Sequence, residues 1–407
     1  MAITQIAFIG DSTTQGTVDN ASISQGGPGC WVEQITDRLA SNPTIGPVLG
    51  SGVRSVHLEA NADSEWLRTG AGWTQTTSSN AYDKWITGRA FYSTTSTDLQ
   101  TWTLPTQWRT PVGFAIYWID FPSAGNWQYS VNGGSTWANM GQPIGHDNGL
   151  KKFYISQSIS STVQFRPSDG SSSVGMLITG IELYWQDPRT ATQGLIVHNL
   201  GSGAQRLGRD FICTAGTAGD RMAFFDAVTL GTNAISNQPS LVVSMWLNDI
   251  VENNTTNWAS YLTTVHNRMS TFAKMAFVNV YEASGTVDYT VEQSYRNQLK
   301  TTANALVDKY FDIYDAWASN GWGGALGDQF TKATAAGLLY DTLHEAPIGH
   351  TDISNRLYWW LITSVLTGIS SSHQSYPIAA KSLATSYKSS YPTAATSASL
   401  PVNLLGQ

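Results

Sequence analysis

The sequence predicts an α/β protein, a doubly wound parallel sheet interrupted by an inserted β-sandwich or jelly-roll domain. Three observations carry this. Short apolar runs ending in turn residues and leading into helically spaced segments open the chain, and they return from Gly194 onward. Between about residues 50 and 190 that texture gives way to alternating runs separated by turns such as Asn132-Gly133-Gly134, without long helical periods. The length of 407 residues suffices for one large core or two.

The opening stretch, Ile6 to Thr14, reads as an apolar strand entering a tight turn, with Gly10 permitting the bend and Ser12 standing at the strand end. In α/β hydrolases a nucleophilic hydroxyl is presented in this way. A Gly-rich loop (Gly26, Gly27, Gly29) leads to a helix whose apolar positions are 31, 32, 35 and 39. Strands in the middle region are expected at 113–119, 127–131, 152–155, 162–166 and 178–185. Nine of the 16 tryptophans fall between residues 50 and 190, which raises two readings: a sugar-binding face, or a Trp-rich core. Further strands are expected at 195–200, 241–249, 275–280 and 310–314, with helices at about 258–274 and 291–309. From about Ser370 the chain is rich in Ser, Ala, Tyr and Pro and reads as a loosely packed tail or a connection to a partner.

Composition narrows the function. Charged residues are 13% of the chain, against about a quarter in an average globular protein. A net charge of -7 argues against nucleic acid or an anionic membrane surface as partner. Cys30 and Cys213, the only cysteines, can pair or stay reduced. No signal peptide is expected at the amino terminus and no run is long enough to span a membrane. Export would then need another route, such as release within a virus particle.

A serine nucleophile needs a base, an acid to orient the base, and donors for the developing oxyanion. Asp341-Thr342-Leu343-His344 can set a carboxylate and an imidazole on one turn, with His344 facing Ser12. Gly201, with an N–H unshielded by a side chain, and Asn248 are candidate donors at two further strand ends. Asp11 is expected to cap the turn after it, Asp249 to serve its own loop, and His350 to pack near the site or start the last helix. His57, His146, His198 and His266 show no metal-ligand spacing.

The order Gly-Asp-Ser, Asn-x-Gly-x-Gly, Asn-Asp, Asp-x-x-His resembles the SGNH (GDSL-type) hydrolases over residues 1–48 and 192–368. The resemblance implies a flavodoxin-like three-layer fold split as 1–49 and 192–369; outside it, 50–191 is expected to be an inserted carbohydrate-binding-like domain and 370–407 a tail. It implies Ser12 as nucleophile, His344 as base, Asp341 as its orienter, Ser12, Gly201 and Asn248 as the oxyanion hole, and no cofactor or metal. Trp246 stands where the family has Gly before the Asn, so the Asn248 loop is expected to differ in shape. The inserted aromatic-rich domain is similar to those of bacteriophage tail esterases. The expected activity is therefore hydrolysis of short acyl, O-acetyl above all, esters on a surface polysaccharide, in an extracellular or virion setting. An acylated glycan is the expected partner, with a homo-oligomer or phage tail components as further ones. Alternatives are a lipid or acyl esterase, though no apolar lid helix stands out, and a catalytically silent receptor-binding tail protein.

Overall fold

The computed structural model describes residues 3–16, 29–42, 57–59, 66–75, 91–93, 95, 97–104, 110–121, 125–140, 149–168, 176–191, 194–203, 205–212, 221–230, 238–251, 253, 256–283, 288–323 and 328–366. The glycines at 26 and 27, His146, Cys213 and the tail from 370 lie outside them.

Residues 6–9 are fully buried, as a strand covered on both faces requires. They belong to β1 (Ile3–Gly10), an interior strand of a parallel sheet completed by β2 (Gly194–Gly201), β3 (Leu241–Met245), β4 (Lys274–Asn279) and β5 (Lys309–Asp312). The order is β2-β1-β3-β4-β5, the doubly wound arrangement expected. Because β2 lies on one side of β1 and β3 on the other, the strand order reverses there and leaves a crevice at the carboxyl ends. Gly10 sits in register with both Gly201 and Met245, so three strand ends meet where the chain turns to Ser12.

Eight α-helices accompany the sheet among the described residues: α1 (Ser12–Gln15), α2 (Trp31–Ser41), α3 (Asn248–Val251), α4 (Trp258–Met269), α5 (Tyr289–Ala305), α6 (Ile313–Ala318), α7 (Gln329–Ala335) and α8 (Pro347–Trp360). With right-handed crossovers, the step from β1 to β2 in one direction and the steps from β3 to β4 to β5 in the other place α2 on one face and α4 with α5 on the other. On the first face, Trp31 packs edge-on against Phe8 at 5.3 Å, and α2 meets α8 through Asn42 Nδ2 donating to the Tyr358 hydroxyl at 2.7 Å. Truncating Phe8 to Ala would cost about 3–5 kcal/mol. On the second face, Trp258 and Tyr295 join α4 to α5 at 5.3 Å. The third strand expected from sequence stops four residues early, at Met245. The amides of Leu247 and Asn248 bond to the Asp11 carboxylate, and a helical turn begins instead.

The middle region forms two further sheets. One has five antiparallel strands: Trp66–Thr69, Leu99–Thr103, Thr162–Pro167, Trp127–Ser130 and Ala138–Met140, in that spatial order. The other has seven and is built around Gly113–Asp120, Gly149–Ile155 and Met176–Tyr184. A single apolar cluster takes residues from both, including Trp102, Trp127, Phe165, Phe114, Trp118 and Ile178, and Trp118 meets Trp127 edge-on at 5.7 Å. Trp102 and Trp127 are therefore core side chains. Trp137 is partly exposed and carries the Arg166 guanidinium 4.0 Å from its ring centre.

The opposite face of the seven-stranded sheet lies against the parallel-sheet body, where Tyr117, Ile119 and Leu177 share a core with Ile6 and Phe8. Every side chain of Gly113–Asp120 is accordingly buried. Val228–Leu230, from beyond β2, pairs in parallel with Gly149–Ile155 and so ties the two parts through the backbone. No helix among the described residues is long and apolar enough to cross a membrane.

Candidate active site

β1 must stop at Gly10. A Cβ there would lie 2.1 Å from Met245 O and 2.1 Å from Thr14 Oγ1, so only glycine lets α1 fold back onto the sheet. Asp11 then leaves the strand with extended angles and caps α1, Oδ1 accepting from Thr13 N at 3.0 Å and from Thr13 Oγ1 at 2.8 Å. Gly16, at φ 84°, ends the turn after four residues. Trp31 Nε1 donates to Thr13 O at 2.7 Å and fixes the turn from the other side. Ser12 is thereby held at the head of α1, only 7% exposed. Its N–H, first in the helix, has no carbonyl one turn behind it.

His344 comes from the loop between α7 and α8. Its Nε2 is 2.9 Å from Ser12 Oγ, and its Nδ1 is 2.8 Å from Asp341 Oδ2. The second Asp341 oxygen accepts from the backbone N–H groups of Leu343 and His344, both at 2.7 Å. The Asp-x-x-His spacing thus does two jobs: one carboxylate oxygen shapes the turn and the other orients the ring. Partial burial works against the charge on Asp341, but these hydrogen bonds prevail and hold it below the usual carboxylate range. An ionised Asp341 only accepts, so Nδ1 carries the ring proton and Nε2 is free to take one from Ser12. The loop is anchored by Tyr340 N donating to His344 O at 2.9 Å and by the Tyr281 hydroxyl donating to Leu343 O at 2.6 Å.

Asn248 opens α3. Its backbone N–H donates to Asp11 Oδ2 at 2.8 Å, beside that of Leu247 at 2.5 Å, and its Nδ2 donates to Gln205 O at 3.0 Å. One amide proton of that side chain remains for another acceptor. Trp246 is buried against Phe211 and donates to Ser244 Oγ at 2.8 Å.

Gly201 departs from the expectation. Its N–H is not open to a ligand: it donates to Asn199 Oδ1 at 3.2 Å. A Cβ at this position would lie 2.1 Å from Gln15 N, so the glycine serves close approach of β2 to α1. The next glycine in that loop, Gly203, donates its N–H to Gln15 Oε1 at 2.6 Å.

Sequence reasoning missed how much Asp11 does. Its carboxylate joins the Ser12 turn to the Asn248 turn, and burial raises its pKa against four hydrogen bonds that lower it. It also missed Glu345, beside His344 and fully buried, whose carboxyl burial pushes far above its ordinary range. No periodicity or spacing marks either residue. Asp249 accepts from Leu207 N at 2.7 Å, and burial raises it to about 7. His350 is buried in the first turn of α8. His198, lowered to about 4 by burial, shares a hydrogen bond with Gln5, and His266 pairs with Asp308. His57 begins a short strand, His57–Glu59. Among the described residues no group of three or more His, Cys, Asp or Glu side chains could hold a metal ion.

No family model and no curated protein matches the chain. Among solved structures it is similar to a lipase/acylhydrolase from Enterococcus faecalis (15% identity, 45% of this chain and 80% of that one, TM-score 0.30). It is also similar to a member of the lipolytic G-D-S-L family from Veillonella parvula (16%, 42% and 81%, TM-score 0.29). A third is a family two carbohydrate esterase from Cellvibrio japonicus (8%, 73% and 98%, TM-score 0.25). Likeness at this level assigns neither family nor activity to this chain.

Proposed function

We propose that this chain is a serine esterase that removes short acyl groups, O-acetyl above all, from carbohydrate. The observation that carries the reading is the unbroken chain Ser12 Oγ, His344 Nε2, His344 Nδ1, Asp341 Oδ2, with links of 2.9 and 2.8 Å. Ser12 Oγ attacks the ester carbonyl as His344 Nε2 takes its proton, and Asp341 stabilises the imidazolium that forms. The oxyanion is met by the Ser12 N–H and the Asn248 amide. The tetrahedral intermediate collapses, its alcohol leaving with the proton from His344. Water, deprotonated by the same nitrogen, then hydrolyses the acyl-enzyme.

A glycan substrate is supported by the low charge of the chain and by the two sheets of the middle region, which we read as an inserted β-sandwich at 50–191. An extracellular or virion setting is consistent with such a substrate. A longer acyl chain is the second reading. Tyr340 and Ile348, 45% and 53% exposed, flank the catalytic loop and offer apolar surface. The test is acetate release from O-acetylated polysaccharides, together with mass mapping after treatment with a fluorophosphonate. The proposal expects acetate release and one phosphonyl group on Ser12. Modification elsewhere, or none, would sink it.

A further inference from the structure

The outer edge of the parallel sheet carries a second cleft, between α5, β5 and α6, of about 340 Å³. That volume suits a small ring system. Tyr289, Gln293, Arg296 and Asn297 line it from one face of α5, at the three- and four-residue spacing of a helix. From the other side come Tyr310, Asp312, Tyr314 and Asp315.

These side chains are already held in place. The Arg296 guanidinium sits over Tyr314, 3.7 Å from the ring centre, and reaches Asp315 at 2.6 Å and Asp312 at 3.6 Å. The Tyr310 hydroxyl donates to Asp312 Oδ2 at 2.5 Å, and Gln293 donates to Asn297 at 3.1 Å. Tyr289 and Tyr314 pair with ring centres 6.3 Å apart. Arg296 and Lys300 are offset by Asp312 and Asp315, so a charged ligand gains little. Tyr314 is buried at 3% exposure, with its hydroxyl beside that of Tyr289. Aromatic faces, amides, paired carboxylates and zero net charge together fit a neutral sugar ring, with its apolar C–H faces and its hydroxyls.

Position supplies the link to Ser12. Asp312 ends β5, and Tyr289 opens the helix that follows β4, so the cleft reaches the same carboxyl edge of the sheet as the serine. β5 is three strands from β1, which is about 14 Å, a span that a short oligosaccharide covers. We propose that this cleft is a remote subsite for a neutral sugar unit of the same glycan whose acylated unit lies at Ser12. The assignment rests on the carbohydrate reading of that serine.

The test titrates neutral pentasaccharides (cellopentaose, xylopentaose, mannopentaose and maltopentaose) into the full chain carrying Ser12→Ala. At least one binds, Tyr289→Ala weakens it about tenfold, and Tyr289→Phe, which keeps the ring, binds as the parent does. Hydrolysis of p-nitrophenyl acetate by Tyr289→Ala with Ser12 intact stays within about twofold. Equal affinity in the Tyr289→Ala chain, or binding of none of the four sugars, overturns the subsite. Loss of Ser12-dependent ester hydrolysis would instead overturn the esterase reading, and the binding result would still stand.

Discussion

His344 Nε2 lies 2.9 Å from Ser12 Oγ, although 332 positions separate the two residues in sequence. What brings them together is the meeting of β1, β2 and β3 at their carboxyl ends and the turn that Asp341 closes around His344. Each contact in that arrangement has a measurable consequence.

Asp341→Asn keeps the shape of the side chain but lets it donate to Nδ1, which favours the ring tautomer that cannot accept from Ser12. The expected result is a fall in kcat of about 10³–10⁴-fold with little change in KM, read from steady-state ester hydrolysis. A change confined to KM would show that Asp341 does not orient the ring.

Asn248→Ala removes the amide proposed as an oxyanion donor. It should raise the barrier by about 3 kcal/mol, a loss in kcat of order 10². Circular dichroism should show an unchanged fold, because the backbone N–H of residue 248 still bonds to Asp11.

Asp11→Ala strands the buried N–H groups of Leu247 and Asn248 and removes the α1 cap. Two such losses amount to about 2–5 kcal/mol, and denaturant unfolding would measure them. Activity should fall with stability, since Ser12 and Asn248 lose their common anchor. Wild-type stability would refute the anchoring role.

Gly201→Ala distinguishes close approach from oxyanion binding. The new methyl would press on the Gln15 backbone, so thermal stability and kcat should both drop. A purely catalytic loss at full stability would return Gly201 to the oxyanion hole.

Asp249 gives a pH dependence of known sign. Burial raises its pKa from 3.8 to about 7, so the folded chain binds the proton more tightly than the unfolded one. That contribution is complete below about pH 4 and is lost as pH rises towards 7, at up to about 1.4 kcal/mol per pH unit. Asp249→Asn should flatten this part of the stability profile. An unchanged slope would show that Asp249 is not its source.

The sequence made the parallel sheet and the Ser12, Asp341 and His344 positions legible because both leave local marks. Buried parallel strands are continuous apolar runs, and an Asp-x-x-His turn is built from neighbours in sequence. Gly201 shows where such marks fail, since nothing in Asn-Leu-Gly says that the Asn199 side chain turns back onto the Gly201 amide. The two roles of Asp11 depend on Leu247 and Asn248, more than 230 residues away. Val228–Leu230 is too short to show a period, and its partner strand lies in the inserted region. Trp102 and Trp127 alternate with polar residues as sugar-platform side chains would, and only the second sheet packed over them makes them core.

The most direct test of the central claim is hydrolysis of p-nitrophenyl acetate by the wild-type chain and by Ser12→Ala at equal concentration, followed by esters of increasing chain length. The account predicts turnover that disappears with Ser12 and declines as the acyl chain grows. Absence of Ser12-dependent turnover on every ester would contradict it.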